Sequence, residues 1–206
     1  MTLSPSLRKL VLTLHVITTM GWLGSAAAYI PIGSYVLTNQ DAEMIRSAIQ
    51  IMSLIANFIV IPVAIISLLT GIALSLGTKW GLIRHYWIFI KLVLTAFAVF
   101  MLIAYALELS RAASIAEKEI LSSTDIGILQ DPLHIIHPSG GLIIVLVATV
   151  LSVYKPKGLT RYGWRKQLET KRNTDSTPYS APRWTKNIGY IIAVLFLVIA
   201  VLMVLI

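Results

Sequence analysis

The sequence contains no cysteine, which excludes disulfides, thiolate chemistry, Cys-ligated zinc and iron–sulfur clusters together. Charge is the second scarcity: 13% of the residues are charged against 57% hydrophobic. Mean hydropathy is +0.82, far from the range of a soluble domain. Acidic residues are scarcer than basic ones, 9 against 17, giving a formal net charge of +8. That excess does not mark a nucleic-acid binder. Nine of the 17 basic residues lie between Lys155 and Lys186, in one loop between hydrophobic segments, as in a cytoplasmic loop of a membrane protein. The chain also lacks a nucleotide-binding loop, a nucleophile elbow and an HExxH metal helix, and it shows no internal repeat of the transporter kind.

What the chain does have is long apolar runs. The first, Leu10 to Ile30, spans 21 residues without a formal charge, enough to cross a bilayer core as a helix at ~1.5 Å per residue. Arg8, Lys9 and the run Ala26-Ala27-Ala28 give it a superficial likeness to a signal peptide, but it exceeds the ~7–15 residues of a signal core. It reads as a retained span ending near Pro31. A short polar segment, Thr38 to Arg46, precedes a second span at 51–76 that carries Asn57 and Pro62. A tight connection, Gly77 to His85, leads to a third span at 86–107, followed by an acidic segment reaching Pro132. The fourth span, 133–154, is expected to be broken near its start by Pro138 and Gly140-Gly141. A basic loop, 155–187, and a fifth span, 188–206, complete the chain.

The expected fold is therefore all-α, a single transmembrane domain over 1–206 with five helices. With the N-terminus inside, 13 of the 17 Lys and Arg fall on the cytoplasmic side and three outside (Arg46, Arg111 and Lys118), with Lys91 within a span. The charge bias makes the topology N-in and C-out.

Four histidines then become placeable. Steps of three and four along the first span collect His15, Thr18, Thr19, Trp22, Ser25 and Tyr29 on one face, a polar stripe that lipid cannot satisfy. His15 lies ~8 Å into the core from the cytoplasmic side, and His85 opens the third span at a similar level. His134 and His137 belong to the outer end of the fourth span. Histidines gathered from several membrane helices are the usual ligands of haem b, one imidazole nitrogen per iron face. Arg84 and Lys91 stand on the side where propionates would need cations. Gly21, Gly24 and Ala26–Ala28 would permit close helix approach, and Trp22, Trp80, Tyr86 and Trp87 would supply aromatic walls.

Plainer readings stand beside these. His15 can be structural glue, hydrogen-bonded to a neighbouring helix, and Lys91 can snorkel to the cytoplasmic surface. His85 can face headgroups, the terminal Trp and Tyr residues can form an aromatic belt, and His137, just before Pro138, can be a helix-start residue. His134 reads as a loop or interface residue. Because His134 and His137 share one helix they cannot bind one iron from opposite faces, so a single haem fits better than a two-haem wire. A copper site lacks the methionine cluster it would want.

The blocks LHVITTMGWLG, SLLTGIALSLGTKWGLIRHYWIFIKLVLT and GGLIIVLVATVLSVYKPKGLTRYG, covering about Leu14 to Gly163, resemble a bacterial multi-pass membrane family catalogued as a domain of unknown function, found chiefly in Gram-positive bacteria. The resemblance implies the same membrane fold and brings forward the histidines matching His15, His85 and His137, while His134 does not stand out in the pattern. It carries no activity. A more distant, fold-level likeness is to small cytochrome b-like and copper-resistance-type bundles.

The reading that follows is a bacterial plasma-membrane protein binding haem b. In it His15 is a ligand, His85 or His137 is its partner or a distal group, Arg84 and Lys91 sit at propionates, and Trp22 and Trp87 form the walls. It would serve electron transfer, sensing or haem-dependent oxidoreductase chemistry, with a quinone or a redox protein as partner and no nucleic acid. The small residues Gly21 to Ala28 could also pack between copies in a homo-oligomer. The alternative is a non-haem scaffold or small carrier whose histidines are structural or proton-handling.

Overall fold

The computed structural model describes residues 3–78 and 80–170. The predicted fifth span and the second half of the basic loop lie outside the described residues. Seven α-helices follow in order: α1 Pro5–Thr38, α2 Ala42–Ile55, α3 Ile61–Leu76, α4 Tyr86–Ala116, α5 Ser123–Leu129, α6 Leu133–Tyr154 and α7 Arg161–Thr170. A π turn, Ala56–Val60, joins α2 to α3 in one rod. Among the described residues four rods are long and apolar enough to cross a membrane: Pro5–Thr38, Ala42–Leu76, Tyr86–Ala116 and Ser123–Tyr154.

The helix ends follow from local chemistry. Ser4 caps α1 through its Oγ, which accepts from the Leu7 N–H, with Pro5 in the first turn. The far end of α1 leaves carbonyls without helical partners, and the Gln130 side chain donates to two of them, Val36 O at 2.9 Å and Asn39 O at 2.7 Å. Asp41 caps α2 by accepting from the Glu43 N–H.

Several sequence-based boundaries need correction. The first helix does not end near Pro31 but continues to Thr38. Opening a helix in hydrocarbon would strand many backbone polar groups, whereas one internal proline strands a single carbonyl. The same argument explains why α6 runs unbroken through Pro138 and Gly140-Gly141. The polar segment Thr38–Arg46 shrinks to a three-residue break, Asn39–Asp41, because the Asp41 cap starts a helix at once. Pro62 is accommodated by the π turn just before it, whose wider bore relieves the clash with the carbonyl four residues back. The acidic segment after the third span is also more ordered than its composition suggests, since α4 reaches Ala116 and α5 follows.

Ser122 and Asp125 form a reciprocal capping box on α5, and Asp125 Oδ1 also accepts from Lys118 Nζ at 2.6 Å. Asp125→Ala should remove the N3 half of the capping box and the partner of Lys118 at once, read as a lowered unfolding midpoint in detergent.

The long rods form a ring. α1 packs against α3 and α6, and α4 packs against α2, α3 and α6, so α1 and α4 stand diagonally across the centre. Large apolar side chains face outward, among them Phe58 at 76% exposed and Phe100 at 68%. Such a perimeter suits lipid and not water. One end of the ring gathers Leu3, Gly77, Arg84–Tyr86 and Gly158–Thr160. There the Leu3 N–H donates to Gly77 O, the Tyr86 N–H to Gly158 O and the Thr160 N–H to Arg84 O. The basic loop is thereby clasped to the α3–α4 connection, and part of it is helical as α7.

Candidate functional site

The polar stripe of α1 turns into the ring. His15 Nδ1 lies 2.9 Å from the Ser67 carbonyl and 3.1 Å from Thr70 Oγ1. A carbonyl can only accept, so Nδ1 carries the proton and donates. The Thr70 hydroxyl donates its own proton to Ile66 O at 2.7 Å, which leaves its oxygen free to accept from His15. In the neutral ring Nε2 is then the lone-pair nitrogen. The imidazole rests on Gly71 through Cε1, which an added Cβ would approach to 3.1 Å. Thr19 completes the fixture by donating to His15 O at 2.7 Å and meeting Ser67 Oγ at 2.7 Å.

His15 lines an inner cavity of about 350 Å³ bounded by α1, α3, α4 and α6. This is within the usual ~300–1,000 Å³ of small-molecule sites. Trp22 and Trp87 supply aromatic wall, while Thr19, Ser67, Thr95, Thr149 and Ser152 supply hydroxyls. Lys91 enters from α4. Its Nζ does not snorkel outward but donates to Ser152 Oγ at 3.1 Å and sits 5.9 Å from the Trp87 ring. The ion pairs among the described residues join Arg46 to Glu43, Arg111 to Glu108, Lys118 to Asp125 and Lys166 to Glu169. Lys91 thus faces the cavity without a carboxylate beside it.

A second, outer cavity of about 70 Å³ lies beyond Trp22, lined among others by Tyr29, Tyr105 and His137. His137 stacks on Tyr105, centroids 4.3 Å apart and planes 13° from parallel. His134 is no loop residue: it is 4% exposed, and its Nδ1 is 3.0 Å from the Tyr105 hydroxyl. Its Nε2 is buried without a hydrogen-bond partner among the described residues. The Tyr29 hydroxyl donates to the Met52 carbonyl, one turn before the π turn.

The structure therefore brings His15, Lys91, Trp22 and Trp87 together around one cavity. It does not bring His85 or His137 to them. His85 precedes α4, its Nδ1 donates to Trp80 O at 3.0 Å, and its backbone bridges to Leu159. Arg84 lies outside both cavity walls, its carbonyl accepting from Thr160 and its side chain lying over Gly81. Among the described residues no three His, Asp or Glu side chains gather as a metal cluster.

The sequence reading missed Ser67, Thr70 and Gly71, which hold His15. Their spacing of three and four places small and polar residues on one face of an otherwise apolar span, a signal parallel to the stripe on α1. Tyr105 carried no comparable mark. The small residues that matter for close approach were also misjudged. Gly24 has open space around it and Gly21 makes only ordinary contact with Val63, whereas Gly33 is pressed against the His134 carbonyl.

What the fold and site define is a multi-helix membrane bundle whose apolar interior carries a few polar side chains. No family model, curated protein or solved structure matches the chain.

Proposed function

We propose that this protein is a five-span bacterial plasma-membrane protein, N-terminus inside and C-terminus outside, that holds haem b in its inner cavity through His15. The observation that carries the reading is the His15 fixture: Nδ1 is tied to the Ser67 carbonyl and Thr70 hydroxyl while the ring lines a cavity with aromatic walls. A hydrogen bond from Nδ1–H to a carbonyl orients an imidazole and raises the basicity of its other nitrogen. A bare metal ion would want three or more protein ligands, but a porphyrin brings four nitrogens of its own and needs one or two from the protein. Lys91 would meet a carboxylate of the bound group, as a charge-assisted hydrogen bond in a dry site.

The haem would supply one-electron chemistry or binding of a small gas or peroxide. His85 and His137 do not line the inner cavity, so His15 is the one histidine that would hold the group there. A quinone or redox protein is the natural partner class. The topology is supported by charge: Arg8, Lys9, Arg84, Lys155, Lys157, Arg161, Arg165 and Lys166 lie toward the clasped end, while Arg46, Arg111 and Lys118 lie toward the other. Kinship with the bacterial family of unassigned activity, on the Trp-Gly, His-Tyr-Trp and Tyr-Lys-Pro blocks, belongs to the same reading.

The test is the visible spectrum of the detergent-purified protein from haem-supplied cells, oxidised, reduced and reduced with carbon monoxide. A Soret band that shifts with carbon monoxide is expected. Lys91→Met should keep the band and weaken haem retention by about tenfold, the value of one charge-assisted hydrogen bond. A colourless protein would move the reading to a non-haem carrier or scaffold.

A further inference from the structure

The four described rods carry charged or ionisable groups near their ends, such as Arg8, Glu43, Arg111 and Asp125, and the rest gather at two cavities. His15 and Lys91 face the inner cavity, Tyr29, Tyr105 and His137 face the outer one, and His134 bonds to Tyr105. An ionisable residue within a span is costly, and such residues mark ion paths and proton relays. The two cavities are stacked end to end. On α4 the inner wall includes Thr95 and the outer wall Ala98; on α6, Val145 lines the inner space and Gly141 and Ile144 the outer. Trp22, 3% exposed, lines both.

We propose that the stacked cavities form a proton path through the bundle, held shut by the Trp22 indole. From the outer end the groups run His134, Tyr105 and His137 with Tyr29, then Thr19, Ser67 and His15 with Thr95, Lys91 and Ser152. Each can accept one proton and pass on another, so one proton enters at one end for each that leaves at the other. No covalent bond or oxidation state changes, and the membrane potential or a pH difference drives the flow. Tyr105 and Thr95 are ten positions apart on α4, ~15 Å of helix, and water must carry the proton across that stretch. Ala26, Ala98, Gly140 and Gly141 leave space beside the apolar Phe97, Met101 and Leu102, and a cavity of about 70 Å³ has room for a few waters, with Tyr29, Tyr105 and His137 as their polar partners, but not for a hydrated metal cation. Lys91 would also repel such a cation, whereas it can itself take up and release a proton. The π turn places Ala56 and Val60 on the outer wall, and such turns recur at functional sites. Haem on His15 would take that imidazole out of the relay, since Nδ1 is held by the Ser67 carbonyl, and the inner leg would then run through Thr95, Lys91 and Ser152.

The test uses the full chain as purified, in liposomes holding a pH-sensitive dye, with a potassium gradient and valinomycin setting the potential. Wild type should pass protons slowly. Trp22→Ala should raise the flux by about tenfold or more, equivalent to a barrier lowered by about 1.4 kcal/mol. Trp22→Phe should stay near wild type, and adding His137→Phe, which keeps the stack on Tyr105, should return the Trp22→Ala flux toward wild type. Three results would each overturn the proposal: a Trp22→Ala protein of wild-type helicity and monodispersity with unchanged flux, an opened path that passes sodium as readily as protons, or a flux indifferent to His137→Phe. A colourless preparation would end the haem reading and leave this one intact.

Discussion

His15→Ala is expected to leave the purified protein without a Soret band, even when haem is supplied during expression. The size of the effect follows from how the site is built. No other histidine lines the inner cavity, so removing His15 takes away its one imidazole, and the Lys91 amine, bonded to Ser152, does not take its place. What is left for the porphyrin is contact with Trp22, Trp87 and the hydroxyl-bearing walls, which fixes no iron. A purely structural role for His15 predicts another pattern, lowered stability with no change in colour, and the unfolding midpoint measured beside the spectrum separates the two. Gly71→Val gives an independent check. The Cβ position is already 3.1 Å from His15 Cε1, and valine adds two methyl groups beside the same ring. The imidazole must then leave its bond to Ser67, and the haem complex should turn heterogeneous or lose affinity while His15 itself is intact. An unaltered spectrum in Gly71→Val would mean that the fixture does not set the ligand.

The membrane class and four of the helical rods could be read from apolar run length alone, because hydrocarbon allows a spanning chain few conformations besides the helix. The same physics explains where the reading failed. Pro31 and Pro138 break helices in water, where a freed carbonyl finds a new partner, so sequence rules for soluble proteins stop the helices too soon. For the site, His15, Trp22, Trp87 and Lys91 were found because polar or aromatic residues in an apolar span are conspicuous. Their grouping was less accessible. The sequence puts His85 and Arg84 at a similar depth to His15, whereas the structure sets them at the clasped end with Leu3 and Gly77, held there by the bonds between Arg84 and Thr160, 76 residues apart. Tyr105 and His134 were missed for a related reason. Their meaning lies in a pairing between α4 and α6 that neither segment announces by itself.

Gly33→Val carries the largest expected loss of stability. An ideal Cβ at Gly33 runs into the carbonyl of His134, with Ile135 Cγ1 at 3.2 Å beyond it. That carbonyl is the one that an N–H at position 138 would have bonded, and Pro138 has none to offer. Glycine answers the deficit in two ways. It lets α1 come close enough to shield the oxygen from lipid, and it turns a Cα hydrogen toward it, a contact worth ~0.5–1 kcal/mol. Valine would drive the helices apart, because the atom it strikes is backbone and cannot rotate away. Overpacking of this sort costs about 1–3 kcal/mol, and exposing a lone carbonyl to hydrocarbon adds to it. The pair α1–α6 is among the main seams of the ring, so the damage should spread to the outer cavity beside it. The measurement is thermal unfolding in detergent with yield of monodisperse protein as a second readout, and Gly24→Val as control, since nothing lies within 4 Å of a Cβ there. A large drop for Gly33→Val with little change for Gly24→Val is expected. Restoring an amide N–H at position 138 with Pro138→Ala in the Gly33→Val background should recover part of the loss, because the His134 carbonyl then has a helical partner of its own.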